Sequence, residues 1–285
     1  MSTGIDAEDF SFIADLVRSE SAIVVEPAKR YLVEARLAPV ARRHGLDDVA
    51  ALVARLRQRP GEGQGPLRAE VVESITNNET SFFRDAKPFA ALEQHVLPEL
   101  IASRVARRQI SIWSGACSSG QEPYSIAMLI RSRFPQLSGW NVRILASDLS
   151  AAMLARAALG RYSNLEVSRG LPIEQLERSF TRAASGWQVH HEVRAMVELR
   201  ALNLVRPWGP LPALDVVFLR NVLMYFDQET RRRILARVAE VLQPDGYLFL
   251  GNAETTLNTS DDFERVQVGP AVAYRLKPPH KEPAP

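Results

Sequence analysis

The stretch IWSGACSSGQEPYS, residues 112–125, decides the fold. An apolar run ends at Trp113, and small residues then continue to Gly120, where an acidic residue and a proline follow. This order is typical of the first strand-to-helix turn of a doubly wound α/β sheet, where the backbone approaches a ligand closely. The stretch therefore predicts a ligand-binding loop at the carboxyl end of a strand.

The charge of this loop distinguishes between nucleotide ligands. The dinucleotide fingerprint G-x-G-x-x-G places a pyrophosphate at the N-terminus of the following helix. Here Gly115 and Gly120 have no glycine between them, and Glu122 puts a negative charge in the first helical turn. Because a pyrophosphate would be repelled there, the loop favours a nucleoside that carries a positive centre.

After Gln109 the chain alternates between strand and helix patterns. Apolar strands are predicted at residues 110–113, 142–146, 215–219 and 247–250, and helices at residues 123–134, 151–159 and 228–242. This alternation predicts a mostly parallel sheet with helices on both faces. Residues 266–276 are predicted to form a hairpin at a sheet edge, and residues 189–202 a second hairpin that stands off the main sheet.

The first 76 residues are predicted to form a separate helical domain. Gly45 is expected to end a second helix there, and Asp47 to cap a third. The Gly- and Pro-rich residues 60–66 are the predicted linker, with a further helix at residues 67–76. Three further ranges complete the predicted organisation: a sheet domain at residues 77–275, an inserted β-subdomain within it at about residues 163–202, and a disordered tail at residues 276–285.

The composition is that of a soluble globular protein, with 46% hydrophobic and 24% charged residues. No run approaches the ~20 apolar residues of a membrane span, and the first residues lack a signal pattern, so a cytoplasmic protein is expected. The single cysteine, Cys117, cannot form an internal disulfide, and the histidines show no metal-ligand spacing. We therefore expect no metal site. Residues 27–59 carry eight bases and three acids, a local excess of +5.

Polar side chains follow two other predicted strands. Asp148 ends the second strand, where an acidic side chain commonly accepts hydrogen bonds from both ribose hydroxyls. The alternative is that Asp148 caps the helix that follows. Arg220, Asn221 and Tyr225 come together after the next long apolar strand, which favours ligand contacts over a simple strand end.

The segment NNETSFFRD, residues 77–85, is the remaining unusual feature. Phe82 and Phe83 would ordinarily be core residues. However, a polar segment with aromatic and arginine side chains that joins a helical domain to a sheet is well placed to close over a ligand.

Together these segments resemble the chemotaxis receptor methyltransferases, the CheR family, over nearly the whole chain. The resemblance lies in the Asn-x-Thr-x-Phe-Phe-Arg segment, the W-S-x-x-x-S-x-G-x-E-P-Y-S loop, the A-S-D of the second strand and the R-N-V-x-x-Y-F-D block. It implies a Rossmann-like S-adenosylmethionine-dependent methyltransferase sheet with a small all-α N-terminal domain and an inserted β-hairpin subdomain. The cofactor contacts that it implies are Asn78, Thr80, Arg84, Glu122, Asp148, Asn203, Leu204, Arg220 and Asn221. It also implies that Tyr225 lies near the transferred methyl group, as the catalytic residue.

The same resemblance implies the substrate, the glutamate side chains of bacterial chemoreceptors. Some members dock their hairpin onto a C-terminal receptor peptide by strand addition. The turn before Val189 is short, so a member that needs no such peptide is expected, acting as a monomer on the acidic helices of the receptor. A nucleic-acid methyltransferase would show an Asn or Asp followed by Pro-Pro and an aromatic residue after the fourth strand, where this chain has Arg220 and Asn221. A non-catalytic module that senses S-adenosylmethionine or scaffolds receptors is the other alternative.

Overall fold

The structure is a computed structural model that describes residues 5–58 and 64–278. The chain forms two compact units. The first contains the described residues up to Asn77 together with Tyr225–Thr230, and the second contains the remaining described residues.

The first unit is helical. Its helices are α1 (Ala7–Ser21), α2 (Arg30–Arg43), α3 (Val49–Arg57) and α4 (Gln64–Ile75). Their apolar faces share one core, in which Ile13, Leu37 and Leu56 are fully buried. Residues 225–230 join this unit through a β-bridge between Ile23 and Phe226.

Two local predictions for this unit were wrong. Asp48, not Asp47, caps α3, because its side chain accepts a hydrogen bond from the Ala51 amide at 2.8 Å. α4 begins at Gln64, inside the predicted linker, and residues 60–63 of that linker lie outside the described residues. Gly45 does follow α2, at a φ of 67°.

The second unit contains two sheets. Their strands are β1 (Gln109–Gly115), β2 (Asn141–Asp148), β3 (Arg161–Tyr162), β4 (Phe180–Ala183), β5 (Gly186–Val189), β6 (Val197–Ala201), β7 (Leu214–Leu219), β8 (Leu242–Leu250), β9 (Phe263–Val268) and β10 (Ala271–Leu276). The main sheet has the order β6-β2-β1-β7-β8-β10-β9, and a small sheet has the order β3-β5-β4. The first five strands of the main sheet run parallel, and the β9–β10 hairpin adds antiparallel at one edge, which confirms the predicted α/β class.

Helices lie before the first strand and between several of the later ones. They are α5 (Lys87–Ala91), α6 (Leu97–Ser103), α7 (Gln121–Arg133), α8 (Ala151–Leu159), α9 (Asn164–Ser168), α10 (Ile173–Ser179), α11 (His191–Arg194) and α12 (Gln228–Val241). One π-helical segment, Leu92–Val96, connects α5 to α6, which ends at Ser103.

The second predicted hairpin was placed wrongly. The hairpin of the small sheet is β4–β5, at residues 180–189, and it turns through Ala184 and Ser185. β6 belongs to the main sheet, where it pairs parallel with β2. The alternating pattern at residues 189–202 thus includes the end of β5, which belongs to the β4–β5 hairpin, and β6, which pairs with the distant strand β2. At the other end of the chain, residues 279–285 of the predicted disordered tail lie outside the described residues.

A buried ionic network joins the amino ends of the central strands. Arg104 donates to Asp215 at 2.9 Å and to Asp245 at 2.7 Å. Asp215 also accepts hydrogen bonds from Arg107 and from the Ser111 amide, each at 2.8 Å. Since unpaired charges are costly in a protein interior, this network depends on all of its partners being present.

Candidate cofactor site

The candidate site lies at the carboxyl ends of the parallel strands. The order of the main sheet reverses between β1 and β7, and ligands of open α/β sheets bind at such a switch point. The predicted residue Asp148 is the last residue of β2, Arg220 directly follows β7, and Asn203 lies after β6. The sequence therefore predicted correctly which strand ends bring polar side chains to this edge.

The loop after β1 has an unusual backbone. Ala116 and Ser118 have φ values of 56° and 49°, and Gly120 has a φ of 93°. A Cβ atom on Gly120 would lie 2.8 Å from Cβ of Ala157, so only glycine fits this turn. The Ser118 hydroxyl donates to the Asn78 carbonyl at 2.7 Å, which joins the predicted NNETSFFRD segment to the loop.

Asp148 is held by backbone donors on both sides. Its Oδ2 accepts from the Ser118 amide at 2.7 Å, and its Oδ1 accepts from the Ser150 amide at 2.8 Å. The N-cap of α8 is Ser150, whose hydroxyl accepts from the Met153 amide, so the alternative role of Asp148 as the helix cap was wrong. The carboxylate is buried and fixed at the end of β2.

Glu122 and Arg220 form a buried ion pair. Arg220 donates to Glu122 at 2.9 Å, to Asp85 at 2.8 Å and to the Arg84 carbonyl at 2.8 Å. The second oxygen of Glu122 accepts from the Ser114 hydroxyl at 2.8 Å. Two carboxylates sharing one guanidinium leave a net charge of −1, so the cluster remains favourable for a positive ligand although Glu122 is not unpaired.

Asp85 and Glu254 were missed by the sequence reasoning. Glu254 follows β8, and its carboxylate accepts from three backbone amides, those of Gly251 at 2.7 Å, Asn221 at 2.8 Å and Met224 at 3.2 Å. These bonds hold Asn221 in the left-handed region, at a φ of 58°. An acid just after an apolar strand, like that at Asp148, was the sequence signal for Glu254.

The remaining predicted contacts lie in two segments. Asn203 accepts a hydrogen bond from the Val205 amide at 3.1 Å, and the side chain of Leu204 is buried next to it in the chain. Arg84 donates to the Glu79 carbonyl at 2.9 Å. Thr80, which lies between these two residues in the sequence, is half-buried.

The two phenylalanines of the NNETSFFRD segment serve packing. Phe82 is fully buried, with its ring 4.9 Å from that of Tyr162 and 5.6 Å from that of Phe180, both edge-on. Phe83 packs edge-on against Phe89 at 5.2 Å. Phe82 thus anchors the polar residues around it to the core, and the core interpretation is the correct one for this ring.

Cys117 lies inside the loop as a buried thiol. Burial raises its pKa well above the usual range, and the nearby charges of Asp148 and Glu122 add to this effect. Because the thiolate is the reactive form, Cys117 is poorly suited to act as a nucleophile. Across residues 5–58 and 64–278, no group of His, Cys, Asp and Glu side chains is arranged to hold a metal ion.

Tyr225 belongs to the first unit. Its hydroxyl accepts a hydrogen bond from the Asn77 side-chain amide at 2.8 Å. In the chain it lies four positions after Asn221, so it follows the same strand end as the candidate cofactor contacts.

Comparison with known proteins identifies both parts of the chain. Residues 78–272 match the family model described as CheR methyltransferase, SAM binding domain, and residues 8–69 match CheR methyltransferase, all-alpha domain. The chain is 42% identical to Chemotaxis protein methyltransferase 1 of Pseudomonas aeruginosa over 94% of this chain and 98% of that protein. It is 40% identical to Chemotaxis protein methyltransferase Cher2 of Pseudomonas putida, over 97% of this chain and 100% of that protein.

A third relative, the Chemotaxis protein methyltransferase of Vibrio anguillarum, is 37% identical over 96% of this chain and 98% of that protein. No helix in the described part of the chain is both long and apolar enough to span a membrane. The matched models cover the helical unit and the sheet unit in the order that the structure shows. The chain therefore belongs to the CheR family of S-adenosylmethionine-dependent methyltransferases.

Proposed function

We propose that this chain methylates glutamate side chains of bacterial chemoreceptors and so forms glutamate methyl esters. The observation that carries the proposal is the chemistry of the candidate site: the ionisable groups of Glu122, Asp148, Arg220 and Glu254 are carboxylates and a guanidinium, and the Cys117 thiol of the same loop is kept protonated by burial. A site made of such groups suits a nucleophile that is already ionised. A glutamate carboxylate is ionised at neutral pH, so it needs no general base.

Nine residues are proposed to hold S-adenosylmethionine: Asn78, Thr80, Arg84, Glu122, Asp148, Asn203, Leu204, Arg220 and Asn221. Two observations support this set. Backbone amides of Ser118 and Ser150 fix the Asp148 carboxylate at the end of β2, and a carboxylate at that place is the kind of acceptor that suits ribose hydroxyls. The Glu122–Arg220–Asp85 cluster keeps a net negative charge, which suits the ammonium and sulfonium groups of the cofactor.

When bound, the cofactor supplies a methyl group activated by a positively charged sulfur. A C–O bond forms between the receptor carboxylate and the methyl carbon as the S–CH₃ bond breaks, and the electron pair stays on sulfur. Both charges are neutralised in this step, so the protein contributes mainly alignment and the exclusion of water.

Tyr225 is proposed to position the receptor carboxylate. A neutral hydroxyl can orient a carboxylate without stabilising its charge as strongly as an arginine would, and excess stabilisation of the reactant would slow the reaction. The Asn77 amide donates to the Tyr225 oxygen, which leaves the tyrosine proton available as a donor.

The basic stretch at residues 27–59 is proposed to steer acidic receptor helices. Two of its arginines are already paired within the first unit, Arg43 with Glu70 at 2.6 Å and Arg57 with Asp9 at 3.0 Å. The steering is assigned to exposed arginines of this stretch, among them Arg42 and Arg55. Replacing both with Ala should lower the methylation rate at low salt and leave it unchanged at high salt, because salt screens this attraction.

Independence from a C-terminal receptor peptide is also part of the proposal. The β4–β5 turn contains only Ala184 and Ser185, which supports the expectation of a short hairpin without an extended docking loop. Deleting the last residues of the receptor should leave its methylation rate unchanged.

The function is tested with methyl-labelled S-adenosylmethionine and receptor cytoplasmic fragments. Mild base should release the transferred label as volatile methanol, which identifies a carboxyl methyl ester. The Asp148→Asn variant serves as the control with weakened cofactor binding. If S-adenosylhomocysteine binds but no receptor fragment becomes labelled, the proposal fails in favour of a silent sensor.

A further inference from the structure

A second concave site adjoins the candidate cofactor site in the second unit. It has a volume of about 340 Å³ and is lined by the start of α5, the residues after β8 and the β9–β10 hairpin. This volume lies within the range of small-molecule sites in proteins.

Cationic side chains dominate this pocket. Lys87 and Arg265 line it, and in the described part of the chain neither side chain forms a hydrogen bond or an ion pair. The side chain of Asn252 adds a further polar group without a described partner, and Tyr274 contributes an aromatic wall. Lysine and arginine are the side chains that proteins use to bind phosphate, the lysine as a point charge and the arginine through paired N–H donors.

Glu254 is the one acidic residue of the lining, and its charge is already engaged. Its carboxylate accepts the three backbone amides of Gly251, Asn221 and Met224. With two cations and one anion the lining keeps a net charge of +1, so an anion is the ligand that its electrostatics favour.

We propose that this pocket binds a small phosphate-bearing anion that weakens binding of the methyl donor. Glu254 provides the connection, because it forms part of the pocket wall and also fixes the Asn221 amide. An anion bound beside Glu254 raises the energy of the Glu254 carboxylate and weakens its hold on Asn221. The inhibitory coupling rests on the proposed role of Asn221 as a cofactor contact.

Gly251 makes this connection close. A Cβ atom on Gly251 would lie 2.7 Å from the Asn221 side-chain nitrogen and 2.7 Å from a Glu254 oxygen. The Glu254 carboxylate and the Asn221 side chain are therefore packed closely around Gly251, and we expect a displacement of Glu254 to move Asn221.

The test uses inorganic phosphate as the probe and measures binding, not methyl transfer. S-adenosylhomocysteine is titrated by calorimetry with and without phosphate, at equal ionic strength set by sodium chloride. We expect phosphate to raise the Kd of S-adenosylhomocysteine about fivefold or more. Reciprocally, S-adenosylhomocysteine should weaken phosphate binding by the same factor, measured by phosphorus NMR titration.

A Lys87→Gln/Arg265→Gln double variant should lose the phosphate effect and keep the phosphate-free affinity for S-adenosylhomocysteine. The matched control is Arg108→Gln/Arg178→Gln, which removes the same charge from exposed positions outside the pocket and should keep the effect. Absence of phosphate binding in the unaltered protein, or equal phosphate binding in the Lys87→Gln/Arg265→Gln variant, would overturn the site. Phosphate binding that leaves the cofactor affinity unchanged would overturn the coupling. None of these readouts depends on receptor methylation, so the proposed function and this inference can fail separately.

Discussion

Replacing Asp148 with Asn should weaken both the fold and the cofactor site. The two carboxylate oxygens accept from the Ser118 and Ser150 amides. In the amide side chain one oxygen becomes an NH₂ group, so a donor faces one of these backbone donors. Loss of one hydrogen bond to a charged group should lower the free energy of unfolding by about 1.5–3 kcal/mol.

The same substitution should weaken binding of S-adenosylhomocysteine. The predicted ribose contacts lose the charge of their acceptor, which at about 1.5–3 kcal/mol corresponds to a roughly 10- to 150-fold higher Kd. Calorimetry gives the Kd, and urea denaturation followed by circular dichroism gives the stability of the same preparation.

Ser150→Ala provides the matched control. It removes the acceptor for the Met153 amide and should cost about 1 kcal/mol of stability, as loss of an N-cap does, while Asp148 keeps its charge. We expect its Kd for S-adenosylhomocysteine to stay within about twofold of the unaltered protein. If folded Asp148→Asn also stays within this margin, the ribose contact of Asp148 is refuted.

Three further predictions address the loop, the buried network and the proposed catalytic residue. Gly120→Ala should lower the free energy of unfolding by about 2–5 kcal/mol, because an alanine at a φ of 93° is strained and its Cβ would lie 2.8 Å from Cβ of Ala157. Urea denaturation measures this loss. Arg104→Met should lower the free energy of unfolding by about 3 kcal/mol at neutral pH. The Arg104 hydrogen bond lowers the pKa of Asp245 below the ordinary 3.8, so the Asp245 contribution to stability is fully present above that value and is lost as the pH falls through the lowered pKa. The difference in stability between the two proteins should therefore begin to shrink as the pH falls below about 4. Tyr225→Phe should slow methyl transfer about tenfold, the equivalent of one hydrogen bond, with unchanged affinity for S-adenosylhomocysteine in calorimetry.

Each of these predictions has an outcome that contradicts it. Gly45→Ala, at a φ of 67° with no atom within 4 Å of the added Cβ, is the control for strain alone, and equal losses at Gly45 and Gly120 would exclude the clash with Ala157. If the free energy of unfolding falls with decreasing pH in the same way in Arg104→Met and in the unaltered protein, the assigned role of Asp245 is excluded. Full transfer activity of Tyr225→Phe would remove Tyr225 from catalysis.

The sequence predicted the strands with continuous apolar runs because these strands are buried on both faces. β1 and β7 lie at the centre of the parallel sheet and are almost completely buried, so their residues form the uninterrupted runs that such strands need. β6 pairs with only one neighbour at the sheet edge and is half-exposed, so its short pattern was assigned to the wrong hairpin.

The chemistry of the strand ends was predictable, whereas the pairing among them was not. Asp148, Arg220 and Asn221 each stand out in sequence as polar residues directly after apolar strands. The contact of Arg220 with Asp85 joins residues 135 positions apart, and no local pattern reports such a pair. The joining of Tyr225–Thr230 to the helical unit was likewise invisible, because it depends on a bridge from Ile23.

The burial of Cys117 has a practical consequence for labelling experiments. It is the only cysteine of the chain, and its raised pKa keeps it in the unreactive thiol form at neutral pH. A cysteine introduced on an exposed surface should therefore accept a maleimide dye selectively without removal of Cys117. The slow alkylation of Cys117 itself then reports how often the cofactor loop opens, so the rate with and without S-adenosylhomocysteine would measure how strongly the ligand holds that loop closed.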